Sequence, residues 1–341
     1  MVLKFLKKER LLPFLERLMP KFLLVAPVRE DNLTVYRPVK TVAEVAVDAP
    51  KSVVPPKEWF FPQTEEIYRY ATSKENLILE ENVLAPPAVL FGVRPCDLRS
   101  FQILDAVFLQ EPADRYYAAR RENTLLIGMS CNTACPECFC TAYGISPLKG
   151  TGADIHLTDI GTAYLVEALT PKGEEIVLQD PEFYEEKVAG IEEALKAKEE
   201  MVTAAFGVQV AVTDLPAKMA ALFNHPYWEE LSRRCLGCGI CTYVCPTCHC
   251  FDITDENRGN TGKRLRCWDA CLFRDYTLHT SGHNPRHALH QRLRNRFFHK
   301  LKYNLDRYGI EGCVGCGRCV ALCPVNIDIR EVIATVRGLQ V

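Results

Sequence analysis

Six cysteines fall between Cys235 and Cys250 in the stretch CLGCGICTYVCPTCHC. Four of them, Cys235, Cys238, Cys241 and Cys245, precede Pro246 and read C-x2-C-x2-C-x3-C-P. A second copy begins 78 residues on, with Cys313, Cys316, Cys319, Cys323 and then Pro324. Three thiolates separated by two-residue gaps on a tight turn can grip three corners of one iron-sulfur cubane. The fourth starts the next element and points away, and in two-cluster ferredoxins it ligates the other cluster. The spacing therefore predicts one [4Fe-4S] cluster on Cys235, Cys238, Cys241 and Cys323, and a second on Cys313, Cys316, Cys319 and Cys245. Gly237, Gly239, Gly315 and Gly317 let each turn fold closely and aim amides at the sulfides. Zinc is the competing metal. Its ribbons use C-x2-C pairs, but a third cysteine at a further two-residue gap and the C-P ending are not what four-coordinate zinc needs.

The elements that must position these thiols belong to an otherwise ordinary chain. Its 341 residues are enough for two domains, and 48% hydrophobic with 25% charged residues is the balance of a globular protein. A net charge of -2 supplies no field toward nucleic acid or a membrane surface. Seventeen cysteines are the anomaly. The N-terminal stretch alternates charge and apolarity too often for a signal peptide, and no apolar run approaches a membrane span. These features predict a reducing cytoplasm, where clustered cysteines are metal ligands or redox groups.

Apolar spacing in KKERLLPFLERLMPKF predicts a helix with Pro13 near its start or a kink. FLLVAPV, NLTVYRPV and TVAEVAVD read as short strands, and KSVVPPKEWFFPQ as a proline-broken loop. PAVLFGV reads as a buried strand that turns at Arg94-Pro95-Cys96 into the helix DLRSFQILDAVF, with Asp97 a candidate N-cap. NTLLIGMSC is a strand delivering Cys131 at its end. Residues 151–180 read as two or three strands, and residues 181–201 as an exposed helix. LPAKMAALFNHPYWEELSRR leads helically into the cysteine-rich half. DITDENRGNTGKRLR reads as a polar stretch, and IREVIATVRGLQ as a closing helix. The expected architecture is an α/β domain over residues 1–205 fused to a mainly helical two-[4Fe-4S] ferredoxin-like domain over residues 206–341.

CGICTYVCPTCHCFD, the distant CVGCGRCVALCP, and the upstream FGVRPCDLRSFQILDAVF and CPECFC together resemble a known family. This is the iron-sulfur family of the sulfhydrogenase beta subunit, which includes the A-type subunit of anaerobic sulfite reductase and has relatives that accompany heterodisulfide reductase modules. The resemblance runs from about residue 20 to the end. It implies an electron-transfer subunit beside a flavoprotein subunit that binds FAD and NAD(P)H, with a catalytic redox partner of hydrogenase, sulfite reductase or heterodisulfide reductase type. It also selects Cys96, Cys131, Cys138 and Cys140 as the ligands of a third cluster, with Cys135 spare. A zinc site or reduced structural thiols remain the alternatives there. Arg94 and Arg99 would tune such a cluster or simply pair with nearby acids.

Cys248, Cys250, Cys267 and Cys271 exceed what two cubanes need. They make either one more site, with His249 or His283 as substitute ligands, or thiols that adjust the potentials of neighbouring clusters. Arg286, Arg292, Arg294, Arg296, Lys300 and Lys302 interleave with Leu289, Leu293, Phe297 and Leu301 at i, i+4, i+8 and i+12. That pattern predicts a helix packed on the cysteine-rich core, or a basic face for an acidic partner protein. No G-x-G-x-x-G follows a strand, so the chain carries no nucleotide fingerprint of its own. The functional expectation is an electron relay. Its rivals are a sulfur-compound-reducing protein with an open-site cluster, and a colourless zinc-stabilised binding module.

Overall fold

The computed structural model describes residues 2–49, 51–81, 83, 85–186, 190–205 and 210–340. The domain boundary expected near residue 206 lies outside the described residues. Twelve strands are described: β1 (Val2–Lys7), β2 (Leu23–Glu30), β3 (Leu33–Pro38), β4 (Thr64–Thr72), β5 (Leu77–Glu81), β6 (Ala88–Val93), β7 (Thr124–Met129), β8 (Ile155–Asp159), β9 (Ala163–Ala168), β10 (Tyr184–Glu185), β11 (Phe251–Arg258) and β12 (Thr261–Trp268).

Eight of them form one sheet in the order β10-β1-β9-β8-β7-β6-β2-β3. Its centre, β2-β6-β7-β8, is parallel, and its flanks are antiparallel. All six residues of β6 and all six of β7 are buried, as an unbroken apolar run requires when helices cover both faces of a parallel sheet. On one face Phe14, Leu15 and Leu18 of the helix Leu11–Leu18 pack with Ile176 and Val177. On the other lie Leu98, Phe101, Leu104 and Phe108 of the helix Pro95–Phe108. The parallel neighbours β6 and β7 end side by side, so Cys96 and Cys131 emerge together beyond the C-terminal ends of these central strands.

The second half departs from the mainly helical domain expected. Residues 251–268, largely read as a polar stretch, form the antiparallel hairpin β11-β12. That hairpin completes a second sheet, β11-β12-β4-β5, whose other two strands come from the first half. In the pairing of β12 with β4, Cys267 lies opposite Thr64. Arg266 on β12 pairs in the buried interior with Glu65 and Asp114, and Arg120 also reaches Glu65. The two halves therefore share a sheet and an ion-pair network.

Other local readings also change. TVAEVAVD is a 3-10 turn over Val42–Glu44, because Thr41 and Glu44 close a capping box that outweighs the apolar alternation. Residues 171–179 are a helix capped by Thr170, after two strands. The stretch read as a single helix from residue 181 opens with a 3-10 turn and β10, and its helix covers Ile191–Ala205. Asp97 is no N-cap. Pro95 starts that helix after the extended Arg94, and Asp97 sits within the first turn as a buried anion.

Candidate metal centres

Each cysteine repeat forms a tight turn with two left-handed glycines, Gly237 and Gly239 in the first and Gly315 and Gly317 in the second. A Cβ on Gly315 would lie 2.5 Å from the carbonyl oxygen of Phe139, so the second turn has room only for glycine there. The Gly237 amide donates to Cys235 Sγ at 3.3 Å, and the Gly315 amide donates to Cys313 Sγ at 3.4 Å. Equivalent amides stabilise negative sulfur in both turns. A one-turn helix follows each, Ile240–Tyr243 and Arg318–Ala321, and carries the chain to Cys245 and Cys323. The Ile327 amide donates to Cys323 Sγ at 3.2 Å.

Across the repeats, Cys235, Cys238 and Cys241 line one cavity with Cys323 and Cys319. Cys245 comes from the first repeat yet faces Cys313, Cys316 and Cys319 closely enough to act on the charge of each. Burial pushes the Cys313 thiol up to about 11, and the neighbouring sulfurs add to that. Thiols so crowded and buried resist losing protons one by one. A cationic metal centre removes that cost by binding them as thiolates. Leu272, Leu293 and Phe297 dry the first cavity.

The basic helix supplies the counter-charge. Residues Leu289–Tyr308 run as one helix with a π turn at His299–Tyr303. Its apolar row, Leu293, Phe297 and Leu301, is buried as expected. The row Arg292, Arg296 and Lys300 is buried as well, so this is not a solvated basic face. Arg292 caps carbonyls of Leu272, Arg286 and His287. Arg296 lies against Cys241 and Cys319. Lys300 donates to Thr247 Oγ1 at 2.7 Å, and Thr247 contacts Cys245 Sγ at 3.2 Å. Burial opposes the charge on Lys300, yet Cys245 and Cys248 hold its ammonium above the ordinary lysine value.

The upstream cysteines come together. Cys96, Cys131, Cys135, Cys138 and Cys140 line one cavity with Lys51 and Arg94. Cys135 is not set apart from the other four: the Cys138 thiol donates to it and pulls it down to about 6. Arg94 bridges the carbonyls of Ser130 and Ala49, at 2.6 and 2.7 Å, and so ties the ends of β6 and β7 together. Arg99 instead makes an exposed pair with Glu311. This cavity abuts the second repeat. The Phe139 amide donates to the Gly315 carbonyl at 2.8 Å, Cys138 Sγ lies 3.6 Å from the Cys316 carbonyl, and Cys96, Cys140 and Cys316 share one buried cluster. Lys51 reaches Cys138 Sγ at 3.5 Å and also bonds the Cys316 carbonyl.

Of the four remaining cysteines, Cys248, Cys250 and Cys271 line a separate cavity with His249 and His299, while Cys267 stays on β12 outside it. Sequence reasoning missed the half-buried Lys51 and the buried Lys57, and left the burial of Arg296 and Lys300 against cysteines open; the cysteine partners of all four are distant in the chain. A readable signal was also missed. C-x3-C-P-x-C-x-C occurs at Cys131, Cys135, Cys138 and Cys140 and again, each residue 110 positions on, at Cys241, Cys245, Cys248 and Cys250.

Fold and thiol placement define a mixed α/β protein ending in a two-cluster iron-sulfur module, and residues 234–327 match the family model of a 4Fe-4S dicluster domain. The chain belongs to the sulfhydrogenase beta subunit family: it is 31% identical over 327 residues, 95% of each chain, to sulfhydrogenase 2 subunit beta of Pyrococcus furiosus. No solved structure matches it. Among the described residues, no helix is long and apolar enough to cross a membrane, and no three His, Cys, Asp or Glu side chains are grouped tightly enough for one metal ion.

Proposed function

We propose that this chain relays single electrons between a flavoprotein subunit binding FAD and NAD(P)H and a catalytic redox subunit. Since the similar chain belongs to a sulfhydrogenase, a hydrogenase-type partner stands first among the acceptors or donors. Cys235, Cys238, Cys241 and Cys323 would hold one [4Fe-4S] cluster, and Cys245, Cys313, Cys316 and Cys319 the second. Cys96, Cys131, Cys138 and Cys140 would hold a third, with Cys135 beside them as a spare or alternative ligand. Four-thiolate clusters have no open position, and their value lies in potentials set by charge, hydrogen bonds and burial.

The observation that carries this reading is the junction at Gly315 and Cys316, where the upstream cysteine loop bonds the second repeat directly. The upstream thiol-lined cavity thereby adjoins the second repeat, whose Cys319 and Cys323 also line the cavity of the first, as a wire requires. The upstream cavity supplies five cysteines, so nothing in its ligand set favours an open-site catalytic cluster.

The test is iron, sulfide and EPR on protein purified without oxygen. Cys140→Ala is expected to lower iron by about four per chain while the dicluster signals persist. Unchanged iron would remove the third cluster from the relay. Lys300→Met is expected to make the cluster ligated by Cys245 harder to reduce, because a buried cation beside it is lost. One charge about 7 Å away at an effective dielectric of about 20 is worth on the order of 100 mV. A spectroelectrochemical titration reads the shift; no negative displacement would mean that Lys300 serves packing alone.

A further inference from the structure

Cys248, Cys250 and Cys271 wall a cavity and are ligands of none of the three sites above, although the Cys248 thiol donates to Cys245 of the second. Cys248 and Cys271 are buried, and Cys250 is half-buried. The Cys271 amide and thiol both point at Cys250 Sγ, as does the Tyr276 hydroxyl. Three sulfurs from two segments, residues 248–250 and Cys271, are thus brought to one space, and donors already converge on one of them.

The charge around this space is one-sided. Lys57, Arg296 and Lys300 are 2%, 5% and 3% exposed. Among the described residues none of the three has a carboxylate partner. Lys57 donates to the Cys248 carbonyl at 2.7 Å and lies over the Trp268 ring, and Arg296 Nε has no hydrogen-bond partner. Buried cations require a counter-charge. Clusters on the dicluster motif would answer Arg296 and part of Lys300. Lys57 bonds the Cys248 carbonyl from outside the lining of this cavity, and burial holds its ammonium below the ordinary lysine value.

His299 supplies a nitrogen donor. Its ring lines the cavity, and its buried Nε2 has no partner. The sequence repeat gives an independent pointer. Cys248 and Cys250 occupy the positions that Cys138 and Cys140 hold in the upstream loop. The turns agree, with the Cys138 amide bonding the Cys135 carbonyl at 3.0 Å and the Cys248 amide bonding the Cys245 carbonyl at 3.4 Å. A buried or half-buried lysine attends each, Lys51 and Lys57.

We propose that Cys248, Cys250 and Cys271, with His299 as the nitrogen ligand, hold a fourth iron-sulfur cluster. The inference extends the relay and rests on it for the role of the homologous upstream loop. Mixed thiolate and imidazole ligation raises the potential of a cluster above that of an all-thiolate one. The site would therefore sit as an electron reservoir beside the second cluster.

The test compares wild type, Cys250→Ser/Cys271→Ser and Cys238→Ala, all full-length and purified without oxygen, for iron, sulfide and EPR. The double variant is expected to lose about four irons and four sulfides, and Cys238→Ala a separate set of about four. Iron lost from Cys238→Ala but not from the double variant would overturn the fourth cluster and leave Cys250 and Cys271 as a free dithiol. Iron lost from neither would instead defeat the relay reading itself. If the double variant does not fold, His299→Gln is read by pulsed EPR. The wild type is expected to show a strong nitrogen hyperfine coupling on one reduced cluster, and the variant to lack it. No such coupling in the wild type, or one that survives the substitution, would overturn the proposal.

Discussion

Cys323→Ala is expected to strip the chain of the cluster held by Cys235, Cys238 and Cys241, although Cys323 belongs to the other repeat. About four irons should be lost, and the EPR signal of the cluster on Cys313, Cys316 and Cys319 should remain. The reason is spatial. Cys323 lies on the cavity of the first repeat, where the Ile327 amide holds its sulfur, while Cys245 faces the second. The reciprocal variant, Cys245→Ala, should spare the first cluster. Loss of the Cys313 cluster from Cys323→Ala would show that each repeat keeps its own fourth cysteine.

Arg318→Met is expected to destabilise the fold more than any surface substitution, by about 3–5 kcal/mol, because it leaves a buried carboxylate without its partner. Arg318 forks onto Asp97 at 2.6 and 2.8 Å, and both side chains are 1% exposed. Its Nε and Nη2 also hold the Ser52 carbonyl and hydroxyl. Asp97 follows Cys96, and Arg318 lies between Cys316 and Cys319, so one ion pair fixes the upstream cavity against the second repeat. The denaturant midpoint of the metal-loaded protein reads the effect. The double variant Asp97→Asn/Arg318→Met is expected to recover part of the loss, since no charge is then stranded. A single variant as stable as wild type would mean that water reaches the carboxylate.

What could be read in advance was set by short-range chemistry. The dicluster motif is legible because the chain must place three thiols on one turn, and Gly237 and Gly315 mark that turn. The buried strands β6 and β7 are legible because an apolar run six residues long has few other uses. The hairpin β11-β12 was not legible: every residue of β11 is exposed, so no alternation betrays a strand. The partner of β12, β4, lies nearly two hundred residues away in sequence. The row Arg292, Arg296 and Lys300 reads locally as a wet face. Only the thiol-lined cavities delivered by other segments make burial of that row favourable. Asp97 looks like a cap for the same reason, since its true partner is Arg318.

The shared second sheet has a consequence for how this protein is made. Synthesis delivers β4 and β5 early, but β12, which must lie against β4, emerges only after the first cysteine repeat has left the ribosome. Until then the first half carries an open strand edge, the kind of surface that recruits other chains. The chain must therefore mature as a whole, and metal loading of its first repeat competes in time with closure of the sheet that binds its halves together.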